Sequence, residues 1–155
     1  MTNSGAGASW RAASFDAAVR EARAGLDEGG VPVGSALDLD GHLVAASRNL
    51  RVQQGDPTAH GEISCLRQGG RRPSYRAAVL YTTLAPCAMC AGAIIQFHIP
   101  LVVVGESQTF SGELELLRSR GVEVVVLDDQ RCRALMSEFQ ERYPRVWAED
   151  IGEVS

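Results

Sequence analysis

The sequence contains no lysine, and all 15 of its basic residues are arginine. This bias indicates a GC-rich genome more than any function. The longest apolar runs, residues 101–104 and 124–127, are far shorter than the ~20 residues that a membrane-spanning helix needs, which excludes a transmembrane segment. Residues 1–9 are small and polar and lack the basic start and apolar core of a secretory signal. We therefore expect a cytoplasmic protein with no membrane partner.

The composition predicts one globular domain that spans residues 1–155, with residues 1–8 flexible. Of the 155 residues, 45% are hydrophobic and 22% charged, which is ordinary for a single soluble domain. The net charge is −4 and the isoelectric point is about 5.4. Because binding to phosphate backbones usually requires a basic stripe, we do not expect a nucleic acid to be the main partner.

The apolar periodicity predicts alternating helices and strands in the order α-β-β-α-β-α-β-α-β-α. An Asp-Gly pair between the first two strands predicts a hairpin, and residues 49–55 are interpreted as a loop. A second helix is predicted from Asp56 to about Gln68, and a third begins at Cys87. This order predicts an α/β fold with a five-stranded mixed sheet flanked by helices, in which the hairpin strands are antiparallel and the later strands parallel.

Two short motifs stand at the predicted starts of the second and third helices. The first contains His60 and Glu62, and the second is a proline followed by Cys87 and Cys90. Cysteines at i and i+3 share one helix face, and a helix N-terminus favours thiolates. Two such helix starts can meet at one edge of a sheet. One imidazole and two thiolates would balance Zn²⁺ and leave a fourth position open, as in catalytic zinc sites.

Glu62 stands two residues from His60, where it could move the proton of a water in the open position. A structural zinc site and a thioredoxin-like redox pair are the alternatives for the two cysteines. No fourth ligand is evident, because His42 and His98 lie outside the motifs and Cys65 falls on the other side of its helix. In a redox protein, the histidine and glutamate of the first motif would have no function.

The sequence resembles the cytidine deaminase-like superfamily, whose signature is H-x-E…P-C-x-x-C. The likeness extends from about Trp10 to Glu153, and its ending is most similar to the cytosine deaminases of the yeast type. The segments that carry the likeness are residues 60–64, 80–84, 92–95 and 103–106, with Trp147 and residues 149–153 at the end.

The resemblance implies a three-layer α-β-α fold, a homodimer and one Zn²⁺ per subunit. It implies that His60, Cys87 and Cys90 bind the metal and that Glu62 is the catalytic acid and base. The substrate-binding residues that it implies are Asn49, Gly61, Phe110, Trp147 and Asp150. The implied reaction is hydrolysis of cytosine, or of 5-substituted cytosines, to uracil and ammonia. Residues 144–155 would form a lid over the active site.

The implied contacts suit a pyrimidine ring. An amide offers a donor and an acceptor, a carboxylate accepts from an amino group, and aromatic faces pack on a flat ring. A closed lid leaves no room for a ribose, so cytidine is expected to be a poor substrate. Removal of the chain from Trp147 onward is expected to abolish turnover and to leave zinc bound, since no implied ligand lies there.

Ala148 departs from the pattern of the yeast-type enzymes, which have an aromatic residue after the tryptophan. A looser lid would widen the substrate range, so one alternative is a deaminase of another small heterocycle, such as a modified pyrimidine, a triazine or guanine. A second is an RNA-editing adenosine deaminase, which the acidic composition disfavours. A third is a zinc-stabilised binding module without turnover.

Overall fold

The computed structural model describes residues 9–153, so the predicted flexibility of residues 1–8 lies outside the described residues. Its helices are α1 (Ala12–Asp27), α2 (Arg51–Gln54), α3 (Gly61–Gly69), α4 (Ala88–Gln96), α5 (Leu114–Ser119), α6 (Gln130–Arg142) and α7 (Pro144–Asp150). Its strands are β1 (Gly34–Leu39), β2 (His42–Arg48), β3 (Ala78–Leu84), β4 (Leu101–Glu106) and β5 (Glu123–Val126). Within this part of the chain, no helix combines the length and the apolar character needed to cross a membrane.

The five strands form one mixed sheet in the order β2-β1-β3-β4-β5. Strand β1 pairs antiparallel with β2 and with β3, while β3, β4 and β5 run parallel. This arrangement confirms the predicted α/β fold and the predicted five-stranded mixed sheet. The parallel order places the carboxyl ends of β3 and β4 side by side, and both strands lead into the candidate site.

Successive residues of the central strands face opposite layers of helices, as the two-residue repeat of a strand requires. Val102 packs in a core cluster with Ile94 of α4, whereas its neighbour Val103 packs in a separate cluster with Phe15 of α1. All four residues are almost fully buried. The sheet therefore lies between two helical layers, which confirms the three-layer architecture.

A buried polar cluster fixes α1 on the sheet. Asp38 of β1 is 2% exposed and accepts hydrogen bonds from Arg11 at 2.8 Å, Ser14 at 2.7 Å and Tyr81 at 2.8 Å. Burial alone would raise the pKa of Asp38, but these hydrogen bonds outweigh it and hold the pKa below its ordinary value. Because the carboxylate is satisfied on three sides, it adds specificity to the packing of α1 without an unpaired buried charge.

The chain before α3 differs from the sequence prediction in two ways. The predicted loop contains the short helix α2, and the predicted helix start at Asp56 is wrong, since α3 begins at Gly61 with His60 as its N-cap. Asp56 instead closes a local turn, accepting hydrogen bonds from both the backbone N–H and the hydroxyl of Thr58 at 2.8 Å. The later start moves His60 to the tip of the helix rather than into its first turn.

Candidate active site

The histidine and the two cysteines of the sequence motifs meet beyond the carboxyl end of β3. His60 is the N-cap of α3, and Cys87 is the N-cap of α4. The Nδ1 atom of His60 lies 3.5 Å from the Sγ atom of Cys87 and 3.8 Å from that of Cys90. All three candidate ligand atoms lie within 4.8 Å of one another, so the fold places them where one metal ion could contact all three.

The two thiols are electrostatically unequal. The hydrogen bond from the Cys90 thiol, with a further contribution from His60, lowers the pKa of Cys87 to about 4 despite its partial burial. The same hydrogen bond and burial raise the pKa of Cys90 far above its ordinary value. The lowered pKa favours the thiolate form of Cys87, which lies at the positive end of α4, where negative charge is stabilised.

Glu62 lies in the first turn of α3 and lines the cavity beside the candidate metal ligands. Its side chain is 3% exposed, and its Oε1 atom is buried with no hydrogen-bond partner among residues 9–153. Burial raises the pKa of Glu62 to about 7, although His60 opposes the shift. A carboxyl group with a pKa near neutrality can both accept and return a proton, which is the requirement for an acid–base catalyst.

The second nitrogen of His60 faces the C-terminal helix. The Nε2 atom lies 3.3 Å from Oδ1 of Asp150, the last residue of α7. Arg51 of α2 approaches the same oxygen, with its Nε atom at 3.8 Å. Burial would lower the pKa of His60, but Asp150 and Cys87 outweigh it and raise the pKa to about 10. The predicted base contact at Asp150 therefore also adjoins a candidate metal ligand.

A cavity of about 410 Å³ opens over this cluster. Of the residues predicted from the sequence, those that line it are Asn49, His60, Glu62, Cys87, Phe110, Trp147 and Asp150. Cys90 is fully buried beneath the cavity, and Gly61 lies behind it, where an added Cβ would come within 3.0 Å of the Val33 carbonyl oxygen. The fold thus brings every predicted site residue to the cavity or directly behind it.

The side chain of Asn49 is oriented by the backbone of α2. Its Oδ1 accepts a hydrogen bond from the backbone N–H of Arg51 at 2.9 Å, and the backbone N–H of Asn49 donates to the Val33 carbonyl at 2.8 Å. Asn49 is only 1% exposed, so these bonds fix the amide firmly. This bond uses one of the two lone pairs of the oxygen, so the NH₂ group is the freer part of the amide for a ligand contact.

Two aromatic rings form one side of the cavity. Phe110, in the loop after β4, meets Trp147 of α7 edge to face, with ring centroids 6.1 Å apart and planes at 90°. Trp147 also packs edge to face against Phe139 of α6, at 6.4 Å. Trp147 is buried at 9% exposure, so α7 is seated on the body of the protein with its aromatic residue directed inward.

The donor set at this site fits zinc. One imidazole nitrogen and two cysteine sulfurs are preferred zinc ligands, and two thiolates neutralise its charge. A buried, unpartnered carboxylate oxygen at Glu62 stands beside them, which is unfavourable unless a further group satisfies it. Three protein ligands leave a coordination position toward the cavity, whereas a structural site would be closed by a fourth.

Comparisons with known proteins agree with this geometry. Residues 8–106 match the family model described as the cytidine and deoxycytidylate deaminase zinc-binding region. The chain is 42% identical to the cytosine deaminase of Candida albicans over 139 residues, which cover 88% of this chain and 93% of that protein. A solved structure from studies of A-to-I editing by tRNA:A34 deaminases superposes with a TM-score of 0.72 at 30% identity, covering 81% of this chain and 99% of the other. The guanine deaminase of Nitrosomonas europaea shares the fold, with a TM-score of 0.65 at 24% identity over 83% of this chain and 84% of its own.

Proposed function

The chain belongs to the zinc-binding family of cytidine and deoxycytidylate deaminases, and from that premise we propose that it hydrolyses free cytosine to uracil and ammonia. The observation that carries the proposal is the cavity in which a His–Cys–Cys cluster, a buried glutamate and two aromatic rings converge. The 42% identity to a fungal cytosine deaminase along nearly the whole chain supports this choice of substrate within the family.

His60, Cys87 and Cys90 would hold the zinc ion through Nδ1 and the two sulfurs. Zinc bound there supplies a nucleophilic hydroxide at neutral pH. The chain's own contribution is to fix three ligands on two helix N-termini and to keep the open position toward the substrate. Because those helix ends are positive, they favour the thiolate form of Cys87 that metal binding requires.

Glu62 would move the protons of the reaction. With a pKa near 7, its carboxylate accepts a proton from the attacking water and returns it to N3 of the ring. It then takes the proton of the new C4 hydroxyl group and delivers it to the exocyclic amine, so that the C4–N bond breaks, the C4 carbonyl of uracil forms and ammonia rather than an amide ion departs. Its burial keeps bulk water away from both transfers, which is why the carboxylate sits deep in the cavity instead of at its mouth.

The polar edge of the base would be recognised by Asn49, Gly61 and Asp150. The NH₂ group of Asn49 suits a ring carbonyl and is the freer part of the amide, because the oxygen already accepts a hydrogen bond from the Arg51 backbone. The carboxylate of Asp150 accepts from the exocyclic amino group, and the backbone N–H of Gly61 donates to the base. A substrate without these groups leaves buried polar atoms unpaired, which costs about 10⁴–10⁵ in specificity.

The C-terminal segment would act as a lid. Residues 144–153 place Trp147, Asp150 and Ile151 against the cavity, and Trp147 with Phe110 covers one side of a flat ring. On this model, a ribose on N1 of cytosine would collide with α7. Such overpacking raises the activation free energy for cytidine by about 3 kcal/mol. We therefore expect kcat/KM for cytidine to be about 100-fold below that for cytosine.

Ammonia release from a panel of substrates tests the proposal. The panel contains cytosine, 5-methylcytosine, cytidine, guanine and a tRNA anticodon stem-loop with adenosine at the wobble position. We expect cytosine to be turned over most efficiently and 5-methylcytosine to remain a substrate, because a methyl-sized change in an apolar pocket shifts rates by only about 10–200-fold. Equal kcat/KM for cytosine and cytidine would contradict the closed lid.

One observation favours a second candidate, a deaminase of a larger heterocycle. The cavity of about 410 Å³ falls within the range for ligands larger than a single ring. Ala148 stands next to Trp147 on α7, where it is half-buried, and its side chain is smaller than the aromatic residue that the yeast-type enzymes have there. Guanine turnover that exceeds cytosine turnover in the same panel would establish this candidate in place of the first.

A homodimer is the proposed assembly, supported by apolar side chains exposed on α4. Met89 of α4 is 37% exposed and Phe97, the C-cap of this helix, is 47% exposed, and exposed apolar side chains of this kind mark interaction surfaces. We expect light scattering at micromolar concentration to give twice the 16.6 kDa chain mass. Phe97→Asp should yield the monomer, whereas Leu43→Asp, the matched change at an exposed residue of β2, should not. A monomeric wild-type protein would contradict the dimer.

A further inference from the structure

Asp150 carries a buried carboxylate oxygen that the substrate contact alone leaves unexplained. Its side chain is 7% exposed, and Oδ1 is buried with no hydrogen-bond partner within residues 9–153. That oxygen is directed at the Nε2 atom of His60, 3.3 Å away, while Arg51 approaches from the other side at 3.8 Å. An unsatisfied buried carboxylate oxygen is costly, so its position calls for a donor.

His60 has two ring nitrogens with two different surroundings. Its Nδ1 atom faces the sulfurs of Cys87 and Cys90, and its Nε2 atom faces Asp150. A histidine that binds a metal through one nitrogen must carry its proton on the other. The proton-bearing nitrogen of a metal-bound histidine is usually held by a carboxylate or carbonyl, which fixes the tautomer and the orientation of the ring.

We propose that Asp150 is a positioning residue for His60: its Oδ1 accepts the Nε2–H and holds the ring so that Nδ1 is aimed at the metal position. The inference rests on the proposed zinc site and goes beyond the base contact assigned to Asp150 above. The 3.3 Å separation slightly exceeds the usual range of about 2.7–3.2 Å, so a small rotation of either group completes the hydrogen bond.

The helix that carries Asp150 links this contact to the lid. Asp150 ends α7, and Arg51 of α2 holds the same end of the helix through an ion pair with Glu149 at 2.9 Å. The lid and the metal site therefore share one carboxylate. This changes the expectation that the chain beyond residue 146 can be removed with zinc still bound: metal affinity falls when α7 is lost, although no metal ligand lies in it.

Zinc affinity measured without substrate separates this role from substrate binding. Chelator competition on the wild type, Asp150→Asn and Glu153→Gln gives the dissociation constants directly. Loss of a carboxylate behind a metal-bound histidine typically weakens metal binding about 10–100-fold, and we expect that loss for Asp150→Asn. Glu153→Gln is the matched control, since it neutralises an exposed acid in the same C-terminal segment and leaves both the contact with His60 and the Arg51–Glu149 ion pair intact.

A spectroscopic measurement distinguishes the loss of this one contact from a general loss of folding. In ¹⁵N-labelled zinc-loaded protein, the His60 imidazole should show a protonated Nε2 that exchanges slowly with solvent in the wild type and in Glu153→Gln. In Asp150→Asn, that proton should exchange faster, while the other two histidines, His42 and His98, are unchanged.

Three outcomes decide the matter. Weaker zinc binding in Asp150→Asn alone supports the positioning role. Unchanged zinc affinity in Asp150→Asn overturns it, even if cytosine turnover is lost, because Asp150 would then contact only the substrate. A wild-type protein that binds no zinc overturns the proposed metal site itself. This result is distinct from the second, because the wild type alone shows it and no variant is needed.

Discussion

Substitution of Glu62 by glutamine should reduce kcat for cytosine deamination by at least about 10²- to 10⁴-fold, the usual contribution of a positioned acid–base group. Glutamine keeps the size of the side chain and its place on α3 but cannot accept a proton from water or return one to the base. The carboxyl group of Glu62 is 3% exposed, and no other acid on α3 could replace it. Steady-state ammonia release with saturating cytosine measures the effect.

Glu113→Gln provides the matched control for this variant. Glu113 also lines the cavity, so its substitution removes a negative charge from the same space without touching the proposed proton path. We expect Glu62→Gln to retain one zinc per chain and Glu113→Gln to retain most of the activity. More than a tenth of the wild-type kcat in Glu62→Gln would refute the role assigned to Glu62.

Replacement of both Cys87 and Cys90 by alanine should abolish zinc binding and, with it, all measurable deamination. The reason is the donor set: without the two sulfurs, only His60 remains of the three ligand atoms that lie within 4.8 Å of one another. One imidazole neither neutralises Zn²⁺ nor defines a tetrahedral site. Metal analysis of the purified protein by mass spectrometry gives the stoichiometry.

Cys65→Ala separates the loss of these two sulfurs from a general effect of removing a thiol. Cys65 lies on α3, fully buried in the core cluster between the sheet and the helices, away from the ligand set. We expect this control to keep one zinc per chain. Full zinc occupancy in the double variant would contradict the proposed site, because the metal would then be bound elsewhere.

The layout of the sheet and the ligand cluster could be predicted from the sequence because each follows from local rules. The hairpin, the continuous apolar strands and the glycines that end helices carry strong signals over a few residues. The spacing of Cys87 and Cys90 fixes them on one face of one helix start, and helix starts next to a parallel sheet converge at one edge. His60 joins them although α3 begins later than the sequence indicates.

The parts that could not be predicted depend on contacts between distant segments. Helix α2 has four residues, too few for an apolar period, and Asp56 carries a capping signal that a local turn uses instead. Arg51 gives no signal in the sequence, yet it orients Asn49 and pairs with the end of α7, 98 residues away. The approach of Asp150 to His60 likewise exists only once the lid is folded onto the site.

Cytosine deamination by protein of known zinc content tests the central claim most directly. Ammonia and uracil should form in equal amounts with one zinc per chain, stop when a chelator removes the metal and resume when zinc is returned. If protein with one zinc per chain released no ammonia from cytosine, the proposal of a cytosine-hydrolysing zinc enzyme would be contradicted.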